Sequence, residues 1–153
     1  PGAILWLTLF RDKIDEIMEQ VKCPVAVFVN RQYREGATVS FVLGGMIDLF
    51  LFSYLDKMLQ NGHSVRLFLF DTDDEEFRGR IDDLQVRYPE QTMIVWFAGV
   101  EDLVTEEKDG LLIMSHLSYT KLSEDEAVMR ELSSLLVIRR NKNTGDKNEG
   151  FEN

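Results

Sequence analysis

At 153 residues the chain is long enough for one domain with a sizeable core. Its 27 acids against 17 bases give a net charge of -10, which makes nucleic acid and anionic lipid poor main partners and favours cations or basic protein surfaces. The single cysteine, Cys23, cannot close an internal disulfide and no secretory signal is visible, so a reducing compartment is expected. The longest apolar run, Phe41 to Leu55, holds Asp48 and two glycines. It falls short of the roughly 20 residues a bilayer needs, so no membrane span is expected. The first residue is Pro1 rather than Met, which reads as a piece of something larger whose other part has room for membrane segments.

Ala3 to Leu9 reads as a short apolar strand around Trp6. Arg11 to Val21 follows as a helix, with Ile14, Ile17, Met18 and Val21 at amphipathic spacing. Cys23-Pro24 ends it, because proline disfavours helical geometry in the residue before it. Cys23 itself reads as a small buried hydrophobe. Pro24 heads the next strand, where a missing donor costs least, and Val25 to Val29 has the unbroken apolar run of a strand buried on both faces. Asn30 to Gly36 is a polar linker.

The rest of the chain is arranged around Ala37 to Asp71. This stretch reads as a strand (Thr38 to Leu43), Gly44-Gly45, a long apolar helix (Met46 to Leu59), an Asn61-Gly62 stop and a strand (Val65 to Phe70). A helix in the connection is what parallel strands require. Ile47, Phe50, Leu51, Tyr54, Leu55, Met58 and Leu59 cover more than one stripe, predicting neighbours on two sides. Asp48, Asp56, Lys57 and Gln60 are left as a narrow wet face.

Thr72 or Asp73 is expected to cap the next helix, whose first turn then carries acids that suit its dipole. Phe77, Ile81 and Leu84 form its buried stripe, and Tyr88-Pro89 stops it. Thr92 to Phe97 is a strand, Gly99 to Glu107 a short helical segment, and Asp109-Gly110 turns into the strand Leu111 to Met114. Ser115 to Lys121 reads as a loop, and Leu122 to Glu131 as a helix capped by Ser123 with Glu126 completing a capping box. Leu135 to Ile138 is the last strand, and residues 141–153 are expected to form a disordered tail. Alternating strands and helices predict the α/β class, a three-layer sandwich with a mostly parallel sheet. Residues 2–29 and 110–139 also echo one another as strand, helix and strand.

The candidate ligand or sensing positions are Gly44, Gly45, Asp71, Ser115 and His116. Gly44-Gly45 joins a strand to a helix amino terminus, where anions bind. The plainer reading is a tight turn, and Asp48, one turn on, repels phosphate. Asp71 leads the run Asp73, Asp74, Glu75 and Glu76 at the carboxyl end of a strand, where sites in open sheets lie and a hard cation finds oxygen ligands. The run lacks the alternating ligands and glycine of a calcium loop, so helix capping and a solvated face are the plainer reading. Ser115 and His116 follow another strand at a similar edge. Histidine is the side chain suited to sensing pH near neutrality, against the bland alternative of a loop residue with no task. No catalytic triad spacing, metalloprotease helix, paired thiols or phosphate loop is visible, so no catalytic residue, cofactor or metal is expected.

Several stretches together carry a family resemblance. They are Cys23-Pro24-Val25-Ala26-Val27-Phe28-Val29-Asn30-Arg31, Val39 to Asp48 with Gly44-Gly45, Asp109 to Ser115, and the last helix with Leu135 to Ile138. In order and spacing they resemble the universal-stress-protein-like cytoplasmic region that follows the membrane domain of monovalent cation:proton antiporters, a group related to plant cation/proton exchangers. The resemblance covers most of residues 3–140. It implies a universal-stress-protein-like (adenine nucleotide alpha hydrolase-like) sandwich over residues 37–140, with residues 1–30 resembling the closing strand-helix-strand of a preceding module. It also implies that Val25 to Val29 lies beside Leu135 to Ile138, either within the chain or across a homodimer.

Functionally the resemblance implies a non-catalytic regulatory or dimerisation domain of a sodium or potassium/proton antiporter. Its partner would be the transmembrane antiporter domain of the same polypeptide, at the cytoplasmic face of the inner membrane, with no nucleic acid. The alternative is a soluble nucleotide-binding universal stress protein. Nucleotide-binding members carry an acid after the first strand and a glycine loop after the fourth. Here Gly44 stands at the first place and the glycine-free Ser115-His116-Leu117-Ser118-Tyr119-Thr120 at the second. Backbone amides cradle phosphate most readily where glycine lets it approach, so the departure weighs against ATP.

Overall fold

The strands β3 (Val39–Leu43) and β4 (Val65–Phe70) lie side by side and parallel, Phe41 opposite Leu67 and Leu43 opposite Leu69. The crossover predicted between them is therefore present, in a computed structural model that describes residues 3–6, 11–105 and 107–140. Five further strands join the same sheet: β1 (Ala3–Trp6), β2 (Val25–Val29), β5 (Thr92–Phe97), β6 (Leu111–Ser115) and β7 (Ser134–Arg139). The order is β1-β2-β7-β6-β3-β4-β5, and every neighbouring pair is parallel except β2 with β7.

Strand alternation sends successive side chains to opposite faces, and both faces are covered. Phe41, Leu43, Leu67 and Leu69 meet α2 (Phe52–Gln60) and α3 (Glu75–Arg87) through Leu55, Leu59, Phe77, Ile81 and Leu84. Val27, Val42, Phe68, Met114 and Val137 belong to the opposite core. There they join Ile14 and Met18 of α1 (Arg11–Gln20), Tyr119 and Leu122 of α4 (His116–Leu122), and Val128 of α5 (Glu126–Glu131). The result is the three-layer α/β sandwich that the alternation of elements predicts.

The antiparallel pair joins β1-α1-β2 to the rest within one chain, in register from Val25 opposite Arg139 to Val29 opposite Leu135. Arginines reach across the junction from both sides. The Arg31 guanidinium donates to the carbonyls of Met129 and Leu132, and the Arg31 N–H to Ser134 Oγ at 2.7 Å. Burial holds the Arg31 pKa below the usual guanidinium value. From the other side, Arg139 donates to the carbonyls of Val21 and Cys23. A charged donor on an otherwise orphaned carbonyl is worth more than a neutral one, so this seam is fastened rather than merely in contact.

Local chemistry overrules several sequence expectations. Met46 to Leu59 is not one α-helix: a 3-10 helix (Met46–Leu51) leads into α2. Its buried residues lie on a single stripe, Leu51, Leu55 and Leu59, while Ile47 and Tyr54 face solvent at 54% and 47% exposure. Asp48, expected on the wet face, is fully buried. Ser115 to Lys121 is helix rather than loop, because Ser115 Oγ accepts from Ser118 N–H and caps α4. Leu122 to Glu131 is likewise broken: Ser123 closes α4 by donating to the Thr120 carbonyl, and Asp125 rather than Ser123 caps α5. Asp74, not Thr72 or Asp73, caps α3 through Phe77 N–H at 3.1 Å. Cys23 is exposed, since it lies in the bend before the sheet resumes at Val25. The expectations for residues 7–9 and 141–153 fall outside the described residues.

Candidate functional site

From β3 the chain builds outward through β4 to β5, then returns to lay β6 and β7 on the other side. The carboxyl ends of β3 and β6 therefore form the switch point of the sheet, where connections diverge and open α/β sheets bind their ligands. Gly44 and Gly45 leave β3 there, and Ser115 and His116 leave β6.

Gly45 has φ 139°, open to glycine alone, and this turn directs the chain into the short 3-10 helix. One turn on, the Asp48 carboxylate folds back over the turn. Its Oδ2 accepts from Gly44 N–H at 2.6 Å and from the Ser118 hydroxyl at 3.2 Å. A Cβ on Gly44 would meet that Oδ2 at 3.2 Å, a tight contact that the carboxylate would have to give way to by a few tenths of an ångström. Ser118 is itself placed by its N–H donating to Ser115 Oγ at 3.1 Å. Asp48 is 0% exposed and both serines 4%. Asp48 Oδ1 is buried with no hydrogen-bond partner among the described residues.

The chain's own carboxylate thus holds the amide that an anion would use at this turn. With that amide already occupied, phosphate finds no free donor there, and no glycine of the β6–α4 junction offers a second cradle. Sequence reasoning singled out Gly44, Gly45, Ser115 and His116, and the fold brings all of them to this end of the sheet. It missed Ser118, and it misplaced Asp48. The available signal was an acid four residues after a strand-ending glycine.

His116 has a partner the sequence could not supply. Its Nε2 lies 2.9 Å from Asp15 Oδ1 of α1, and its ring stacks on Tyr119 with centroids 6.5 Å apart. The pair ties α1 to the first residue of α4. Asp71 belongs elsewhere: at the end of β4 it is exposed and paired with Arg78 at 2.7 Å. Arg78 also donates to the Thr72 carbonyl and stacks over Trp96 at 4.8 Å. The acidic run therefore caps α3 and makes a surface ion pair. Among the described residues no group of three or more His, Cys, Asp or Glu side chains has a metal-binding arrangement. No helix among them is long and apolar enough to cross a membrane.

At the opposite, amino-terminal end of β3, β4 and β5 lies an open groove of about 780 Å³, lined by Tyr33, Met58, His63, Arg66, Gln91 and Met93 among others. Arg66 pairs with Glu107 at 2.7 Å. Hydrogen bonds from Thr38 and then Arg66 hold the Glu107 carboxyl below its ordinary value. A depressed carboxyl adds stability above its unfolded pKa of about 4.3, and loses it as pH falls through the lower folded value. Glu107→Gln is expected to flatten the acid side of the stability-pH curve below about pH 4.3. Because the group is half exposed, the effect should stay under about 1 kcal/mol. Urea titrations over that range check it, and an unchanged acid slope would exclude this contribution.

No family profile matches the chain, and no curated protein sequence matches it.

Proposed function

We propose that the chain is a regulatory, non-catalytic module of a monovalent cation:proton antiporter, working at the cytoplasmic face of the membrane that holds the transporter. The antiporter assignment rests on the resemblance of residues 23–31, 39–48, 109–115 and 135–138. The observation that carries the regulatory reading is the Asp48 carboxylate on Gly44 N–H and the Ser118 hydroxyl, which fills the switch point with the chain's own side chains. A universal-stress-protein-like domain built this way has reason to act by contact rather than by turning over a nucleotide. The His116–Asp15 pair ties α1 to α4 beside the switch point, so a contact made on either helix bears on both.

Calorimetry with ATP on the isolated chain should give no binding heat. Saturable binding of ATP would favour the soluble nucleotide-binding alternative. In the intact transporter, deleting the module should change the ion or pH dependence of transport, and His116→Ala, which breaks the contact between α1 and α4, should change it in the same direction. Unchanged transport, pH profile and assembly after deletion would remove the regulatory reading.

A further inference from the structure

We infer that β5 is a self-pairing edge, through which two copies of this chain join their sheets antiparallel about Ile94. This inference is independent of the antiporter reading. Among the described residues β5 has one strand neighbour, β4, so its other side is an open edge. Val65 N–H donates to the Gln91 carbonyl at 2.8 Å, with Val65 registered opposite Thr92. In a parallel ladder the polar groups of successive residues point to alternate sides. Gln91, Met93, Val95 and Phe97 therefore face β4, and the N–H and C=O groups of Thr92, Ile94 and Trp96 face outward.

Proteins protect such edges with lysine, proline, bulges or very short strands. Here none of these is present: from Gln91 to Val100 there is no ionisable residue and no proline. Large apolar side chains stand exposed along the same margin, Met93 at 59% and Trp96 at 43%, with Val86 of α3 at 79%.

The outward groups are symmetric about Ile94, which is what a two-fold axis normal to the sheet demands. Ile94 meets Ile94 of the second copy as a hydrogen-bonded pair, and Trp96 meets Thr92. That arrangement satisfies every outward donor and acceptor of the strand and keeps each face of the sheet continuous. Arg78, stacked over Trp96 and already paired with Asp71 in its own copy, brings no net charge to the edge. A long uncharged edge in a chain of net charge -10 is the stretch where two copies meet with least repulsion.

The test is sedimentation velocity on the full chain across a dilution series, with Ile94→Pro and Trp96→Lys beside it. The Ile94 N–H points outward, so proline there removes a bond of the dimer and none of the β4 ladder. A dimer is expected, with both variants weakening it at least about tenfold while circular dichroism stays unchanged. In a Cys23→Ser background, Ile94→Cys should cross-link to itself under mild oxidation, because the paired Cα atoms would lie about 5.5 Å apart. A chain that stays monomeric at every concentration overturns the inference, and so does an edge that takes up only an added peptide. A dimer indifferent to both variants, or one in which Ile94→Cys forms no cross-link, overturns it equally.

Discussion

Asp48→Ala is expected to lower unfolding stability by about 2–4 kcal/mol, while Asp48→Asn stays within about 1 kcal/mol of the parent chain. Two effects compete at this position. Burying a carboxylate costs free energy, so its loss relieves a penalty. Alanine also strips the acceptor from Gly44 N–H and the Ser118 hydroxyl, each at a buried site, and leaves a small void under the turn. A buried donor left without a partner costs about 1–3 kcal/mol. Two such donors outweigh the relief. Asparagine keeps an oxygen for both donors and removes the charge, so it separates the acceptor's role from the charge. Urea unfolding of the pair measures this directly. Alanine as stable as the parent would mean that the switch point is not held together by this carboxylate.

Val27→Asp is expected to cost more than about 3 kcal/mol and to leave little folded protein at 37 °C, whereas Val27→Thr costs about 1–2 kcal/mol. Val27 is 0% exposed, stands opposite Val137, and faces the core shared with Met18 and Leu122. An unpaired carboxylate there has no cation to meet. The harm should not stay within β1-α1-β2. Freeing β2 would bare the edge of β7 and the carbonyls of Met129 and Leu132 that Arg31 serves. One cooperative transition is therefore expected for the parent chain by both calorimetry and circular dichroism. Two separate transitions, with only the first sensitive to Val27→Asp, would show residues 1–30 to be an independently folding piece.

The antiparallel seam also shapes the architecture. Residues 37–140 alone would leave β7 as an edge with Val137 and Leu135 half-covered. β2 pairs along that edge, and Arg31 and Arg139 fasten it at both ends. In this chain the in-chain pairing takes the place that the resemblance left open to either an internal partner or a second copy. Among the described residues the edges that remain are β1 and β5.

Elements whose signal is local could be read from the sequence. Short apolar runs located β2, β3, β4, β5, β6 and β7, most with a glycine or proline at one end, and three-four spacing located α1 and the buried stripe of α3. The helix-bearing connection fixed β3 and β4 as parallel neighbours, because a hairpin has no room for one. Burial on both faces followed from the composition of the strands.

What failed was decided by groups far apart in sequence or by competition among nearby caps. Asp48 reads as a surface residue of an amphipathic helix until Ser118, 70 positions away, and the Gly44 amide are placed around it. The turn that carries it is 3-10 in form, a preference no periodicity reports. Ser115, Ser123 and Asp125 all offer capping chemistry, and only the packing of Tyr119 and Leu122 into the core decided that Ser115 opens one helix and Asp125 the next. His116 and Asp15 are 101 residues apart, so their pairing exists only once β1-α1-β2 has been laid against β7. The sequence by itself determined the alternating elements and their layering, because those depend on the period of apolar residues along a single segment. Tertiary structure alone decided the contents of the switch point, because buried polar groups take whichever partners the folded chain brings within hydrogen-bond distance.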